Sequence, residues 1–245
     1  MIAALVAAAG PVIPDFGGGG AGNSCVRENG TFCVKWFRDN WSDVFVPALG
    51  QHVKLTAIAL VIGFAISAAL ALLAHRFRWT EQTITVVTGV LYTIPSLALF
   101  QLLVPITGLT LLTAEIALVS YTLLILFRNM LEGLRGVPAD VRDAARGMGL
   151  TDRQVLWQVE LPLALPAIVA GLRIATVTII SLATVAAFVV NEGLGKPIFD
   201  AIQSSVFKTE IFAAGGLAVA MALFADAALV LVQRRLTPWA RARAR

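Results

Sequence analysis

The chain has 245 residues, of which 58% are hydrophobic and 14% charged, a composition too apolar for a soluble domain of this length. Its formal net charge of +4 does not point to nucleic acid, because the basic excess lies beside apolar stretches of membrane-crossing length. An all-α integral membrane protein is expected instead.

Residues 1–50 form a first unit, expected outside the membrane. Met1 to Pro14 is apolar but too short to span, lacks a basic leader and runs into the Gly17 to Gly20 tract; a surface-lying tail, a signal peptide and a sixth helix all stay open. Cys25 and Cys33 are the only cysteines in the sequence, and an oxidising compartment would close them into a disulfide. Asn29-Gly30-Thr31 fits the glycosylation pattern, which matters only in a glycosylating host. Trp36, Phe37, Trp41 and Phe45 alternate with Lys35, Arg38, Asp39 and Asp43, as in an amphipathic helix lying along the interface with its aromatic face in lipid. The same rings also suit a cationic substrate through cation–π attraction. His52 and His75 fall on opposite predicted membrane faces, so no metal site is expected.

Five stretches reach the roughly 20 apolar residues that a bilayer crossing takes: about 54–74, 84–105, 109–127, 163–190 and 211–233. In the second, Pro95 removes one helical hydrogen bond, and the freed carbonyl needs Thr93, Ser96, a neighbour or water. Ordinary packing and a gate lining a pathway are both open for Thr93, Pro95 and Ser96. Glu115, in the third stretch, snorkels outward or faces a cavity. The fourth is longer than a span requires, and Pro162 and Pro166 in LPLALP predict an interfacial entry turn ahead of the span proper. Arg173 and Asp226 lie ~15 Å and ~12 Å inward from the same side at ~1.5 Å per residue. That matching depth predicts an ion pair, since an unpaired charge in a span costs at least ~2.5 kcal/mol on insertion scales; direct contact with substrate is the alternative.

Twelve of the 19 Lys and Arg residues lie in the 75–83 loop, the 128–162 loop and the segment after 233. The positive-inside rule puts these segments and the basic tail 240–245 in the cytoplasm, and the N-terminus outside. Each basic residue of the tail adds about 1 kcal/mol of attraction to anionic membrane lipid.

Between the third and fourth spans, the loop 132–162 carries charges of both signs. Pro138 predicts a helix start, and Gly147 and Gly149 bracket Met148. A short helix over about 139–146, a glycine turn and an amphipathic helix to about 160 follow. Asp143-Ala144-Ala145, Gly149 four residues after Ala145, and then Val159, Leu161 and Pro162 resemble the EAA loop of ABC importer permeases. That loop is written EAA, three residues, G, nine residues, I-x-L-P; Asp143 stands for the usual Glu and Val159 for Ile.

The resemblance implies a type I ABC importer permease fold whose coupling helix sits in a groove of a separate ATPase subunit. The coupling residues are then Asp143, Ala144, Ala145, Gly147, Met148, Gly149, Leu161 and Pro162. The alanines allow close approach, Gly149 lets the chain reverse, and Leu161-Pro162 anchors the knob to the membrane. LYTIPSLALF at 91–100, LFRNMLEGLRGVP at 126–138, ELPLALPAIVAGLRIATV at 160–177 and GLGKPIFDAI at 193–202 resemble the permeases of osmoprotectant ABC importers, over residues 51–239.

For that family the resemblance implies import of glycine betaine, choline, carnitine or proline betaine by alternating access, in the plasma (inner) membrane of a prokaryote. The implied partners are two ATPase subunits, a second permease copy, identical or homologous, and an extracytoplasmic substrate-binding protein. No G-x-x-x-x-G-K-[ST] occurs in the chain, so no catalytic residue and no cofactor is expected in it, and ATP and Mg belong to the partner ATPase. Val190-Asn191-Glu192-Gly193-Leu194-Gly195 replaces the family's usual A-G-G-L-G. The added Glu192, at the expected outer mouth, favours a cation or contacts the binding protein. Import of another small amine or amino acid is the alternative. An ion-coupled secondary transporter or channel is more distant, since neither inverted repeats nor paired broken helices are visible.

Overall fold

A computed structural model describes residues 24–204 and 206–238. The readings of Met1 to Pro14 and of the basic tail fall outside the described residues. Every regular element among those described is helical. α1 (Ser24–Glu28) and α2 (Val34–Asp39) are joined by the Cys25–Cys33 disulfide, with Cα atoms 5.9 Å apart. A π-helical turn, Trp41–Phe45, runs into α3 (Val46–Arg76). Then come α4 (Thr80–Thr93), α5 (Ser96–Thr107), α6 (Leu111–Arg135), α7 (Ala139–Gly147) and α8 (Asp152–Val155). A second π-helical turn, Leu156–Glu160, leads into α9 (Leu161–Val185), followed by α10 (Ala187–Val190), α11 (Gly195–Ser204) and α12 (Lys208–Leu236).

Four helical stretches are long and apolar enough to cross a bilayer: Trp41–Arg76, Leu111–Arg135, Asp152–Val190 and Lys208–Leu236. α4 and α5 together make a fifth if they are counted as one bent span. The helices overrun the apolar stretches of the sequence, because backbone hydrogen bonding continues where side chains turn polar. The second span is not one kinked rod, since α4 and α5 meet at 96°. Pro95 biases Ile94 away from helical geometry, and Ile94 takes φ −63°, ψ 128°. The Tyr121 hydroxyl on α6 donates to the Ile94 carbonyl. Leu99 N–H donates to the Pro95 carbonyl at 2.9 Å, which starts α5.

The entry turn expected at LPLALP does not form. The helical stretch runs unbroken from Asp152 to Val190. Pro162 sits in the first positions of α9, directly after the π-helical turn, where a missing N–H is tolerated and the wider turn absorbs the change in register. Pro166 is accommodated inside α9, and Gln233 on α12 donates to its carbonyl at 3.2 Å.

α6 is the central post, with α3 and α9 packed against it. Leu55, Phe100, Leu118 and Ile179 fill one half of the core, and Phe127, Met130, Leu134 and Ala164 the half nearer the loop that holds α7. Close approach of α6 and α9 depends on Gly171, where a Cβ would overlap Asn129. α12 lies along α9 and leaves most of its own surface exposed.

The N-terminal aromatic residues do not form one lipid-facing stripe. α2 ends at Asn40 (φ −102°, ψ 7°), and the rings on either side of that break converge on one another. Phe37 meets Trp41 and Phe45 at centroid distances of 5.3 and 5.1 Å, and Trp36 meets Phe207 at 4.9 Å. Phe45 is fully buried with Ala213 and Ala214 of α12. The Asn29 amide donates to the Val206 carbonyl at 3.2 Å and accepts from Lys208 N–H at 3.0 Å. Cys33 N–H donates to Thr209 Oγ1 at 2.9 Å. These bonds strap the disulfide hairpin over the start of α12 and hold Val206 at φ +53°, unusual for a β-branched residue.

Candidate coupling site and intramembrane charges

α7 is built as a closed knob. Pro138 precedes it in an extended conformation (φ −57°, ψ 141°), which fits a residue outside a helix start. At the other end Gly149 takes φ +89°, and Leu150 N–H donates to the Ala145 carbonyl at 3.2 Å. This is a left-handed helix terminus that glycine adopts without strain. Thr151 then caps α8 reciprocally with Gln154, whose Oε1 accepts from Thr151 N–H at 2.8 Å while Thr151 Oγ1 accepts from Gln154 N–H at 3.4 Å.

Within this knob Ala145 is buried, whereas Asp143, Ala144, Gly147 and Gly149 are exposed. Met148 is 75% exposed, an apolar side chain presented at the tip. Arg146 reaches both Asp143 at 3.4 Å and Asp152 at 3.2 Å; such exposed pairs shape the surface and add little stability. Leu161 and Pro162 are half-buried at the start of α9.

Further polar residues near this loop were missed by sequence reasoning. Glu160 is 5% exposed; its Oε2 lies 2.9 Å from His75 Nε2 and its Oε1 3.7 Å from Arg142 Nη1. Arg135, at the end of α6, donates to Glu81 Oε2 at 2.6 Å and to the Ala74 carbonyl at 3.5 Å. The available signals were a lone acid just before Leu161-Pro162 and a histidine at the end of the first span.

The other predicted residues lie on separate elements. Thr93 donates to the Val90 carbonyl at 2.8 Å, and Thr93 and Pro95 are exposed at the bend between α4 and α5. Arg173 and Asp226 form a bidentate pair, Nε to Oδ1 at 2.8 Å and Nη2 to Oδ2 at 3.0 Å, with a third of each side chain exposed. Glu192 is half-buried between α10 and α11. Its loop is pinned where Gly193 N–H donates to Gln51 Oε1 at 3.0 Å and Leu194 N–H to His52 Nδ1 at 3.2 Å. Among the described residues, no hydrogen bond or ion pair joins the Pro95 bend, Glu192 and the Arg173–Asp226 pair, so they are not gathered into one site. Glu115 does not snorkel outward: both its carboxylate oxygens are buried without a hydrogen-bond partner, and the charge that acts on it is that of Lys54. A cavity of about 650 Å³ opens at the end opposite α7, bordered by Trp36, Asp43, Gln51, Lys196, Asp200 and Glu210.

Residues 57–238 match the family model described as binding-protein-dependent transport system inner membrane component. The chain is similar to the choline transport system permease protein OpuBB of Bacillus subtilis, at 33% identity over 77% of this chain and 86% of that one. It is also similar to the carnitine transport permease protein OpuCB of Listeria monocytogenes, at 33% identity over 84% and 93%. A third relative is the osmoprotectant import permease protein OsmW of Salmonella typhimurium, at 36% identity over 77% and 89%. Among solved structures, a chain of the MetNI methionine ABC transporter in an inward-facing conformation superposes with a TM-score of 0.70. It is 20% identical and covers 78% of this chain and 95% of that one, a likeness of fold.

Proposed function

This chain belongs to the family of inner membrane components of binding-protein-dependent transport systems, and from that premise we propose that it is the permease subunit of an ATP-driven osmoprotectant importer. The solute class is glycine betaine, choline, carnitine or proline betaine, supported by the relatives named for choline, carnitine and osmoprotectant transport. The partners are two ATPase subunits carrying ATP and Mg, a second permease copy, identical or homologous, and an external binding protein. The loop holding α7 and the C-terminus face the cytoplasm, and the disulfide hairpin faces outward, the orientation that the distribution of Lys and Arg favours.

The observation that carries the coupling reading is the knob itself. Asp143, Ala144, Gly147 and Met148 are presented outward on a helix whose inner side, at Ala145, is buried. An ATPase that grips this surface moves α7, and the continuous helix from Asp152 to Val190 carries that displacement into the membrane. The bend at Pro95 and the Arg173–Asp226 pair are proposed elements of the pathway formed with the second permease copy. No bond is made or broken in this chain; solute selection lies with the binding protein, where aromatic rings suit quaternary ammonium groups.

The test is uptake of labelled glycine betaine, choline and carnitine in a deletion strain complemented with the wild-type chain or with Gly149→Asp. Aspartate at φ +89° adds backbone strain of about 1–3 kcal/mol at the helix terminus. The expected result is uptake with the wild type and its loss with Gly149→Asp, the variant still being inserted. Wild-type cells that import none of the three solutes overturn the substrate class; full transport by Gly149→Asp overturns the coupling loop.

A further inference from the structure

Glu160 is the last residue of the π-helical turn before α9, at the point where three elements meet. α7 packs on α8 and on this turn, and the Glu160 carboxylate extends that contact to α3. One oxygen faces His75 Nε2 at 2.9 Å in the last turn of α3, and the other faces Arg142 Nη1 at 3.7 Å on α7. A carboxylate this deeply buried needs partners to hold it, and it has one on each of two separate elements. The π-helical turn matters to that placement. Its extra residue re-aims the side chain by roughly 100°, the rotation per residue of an α-helix, relative to an unbroken α-helical path.

We propose that Glu160 is a positioning residue of the transport cycle, a latch that fastens the coupling helix to α3 as well as to α9. The inference rests on the permease reading above. With the latch closed, a displacement delivered to α7 moves the loop-side ends of the first and fourth spans together. Without it, α7 still offers its exposed face to the ATPase, but its motion reaches α9 alone and is lost on α3.

The test uses the whole complex, with its ATPase and binding protein, reconstituted into liposomes with glycine betaine as solute. Glu160→Gln keeps size and a hydrogen-bonding group but removes the charge that holds Arg142. The expected result is a fall of at least about fivefold in solute imported per ATP hydrolysed, the low end of coupling between linked sites. Maximal uptake falls while half-saturation by the loaded binding protein does not move, and Glu160→Asp restores part of the ratio. Arg142→Gln, which opens the latch from its more exposed side, lowers the same ratio and serves where a Glu160 variant fails to assemble. An unchanged ratio in these variants overturns the latch. So does a parallel fall of uptake, hydrolysis and assembled complex, which marks a merely structural contact. The wild-type arm keeps the two readings apart: ATP-dependent import there with unchanged variants sinks the latch alone, and no import there sinks both.

Discussion

Arg173 and Asp226 hold each other inside two neighbouring spans by two parallel hydrogen bonds, a geometry in which each charge is the other's compensation. Removing one partner leaves a lone charge at membrane depth, whereas removing both leaves an apolar helix contact. Arg173→Ala and Asp226→Ala should therefore each lower the amount of folded protein recovered from the membrane more than the double variant does. Size-exclusion recovery after detergent extraction measures this, and a double variant that loses as much as the two singles combined would count against mutual compensation. The pairing of these two residues was legible in the sequence because charges stand out in apolar runs. Glu160 was not, since its meaning lies in distances to His75 and Arg142, residues 85 and 18 positions away, and no local pattern encodes them. The two hydrogen bonds of the Asn29 amide were hidden in the same way beneath a glycosylation pattern.

Among the elements, the bent pair α4 and α5 packs on α6 and receives one hydroxyl from it at the bend. Tyr121 is buried on α6 and donates to the Ile94 carbonyl at the bend. Tyr121→Phe removes that donor and should cost about 1 kcal/mol, the usual net worth of one hydrogen bond. A thermal melt of the purified protein should show a lower apparent Tm; an unchanged Tm would mean that the bend satisfies its carbonyl elsewhere. Pro95 marked this place in the sequence, and hydropathy marked its length. The 96° angle was beyond either, because a proline pushes the residue before it out of helical geometry without specifying the direction in which the chain resumes. The fourth span failed in the opposite direction. Pro162 and Pro166 read as a turn, but a π-helical register shift and the Gln233 side chain let the helix continue. α7 was the most legible element, since the Pro138 start and Gly149 stop are local chemistry. α11 was not picked out as a helix, although Pro197, Ala201 and the half-buried Ile198 fall at helical spacing along it.

For the whole molecule, the proposed orientation makes a direct prediction. In a Cys25→Ser/Cys33→Ser background, Met148→Cys should resist a membrane-impermeant thiol reagent in intact cells and react after permeabilisation. Lys208→Cys, exposed at the start of α12, should react in intact cells. The reverse labelling pattern would invert the topology. Among the described residues, the loop-side ends of the spans are tied by charged contacts, Arg135 with Glu81 and Glu160 with His75. The opposite ends are tied by a disulfide hairpin, an aromatic cluster and hydrogen bonds between side chains and backbone.

The strap between that hairpin and α12 also sets an order of assembly. Cys25 and Cys33 are eight residues apart and, in the proposed orientation, can join once both have crossed the membrane. The berth for the hairpin does not exist at that moment, because Asn29 binds Val206 and Lys208 across 177 and 179 residues of chain. During synthesis the hairpin therefore waits, with Trp36 and Phe45 uncovered, through the insertion of every intervening span. Among the described parts it is the first made and among the last to be seated, and it docks only after the start of α12 has arrived.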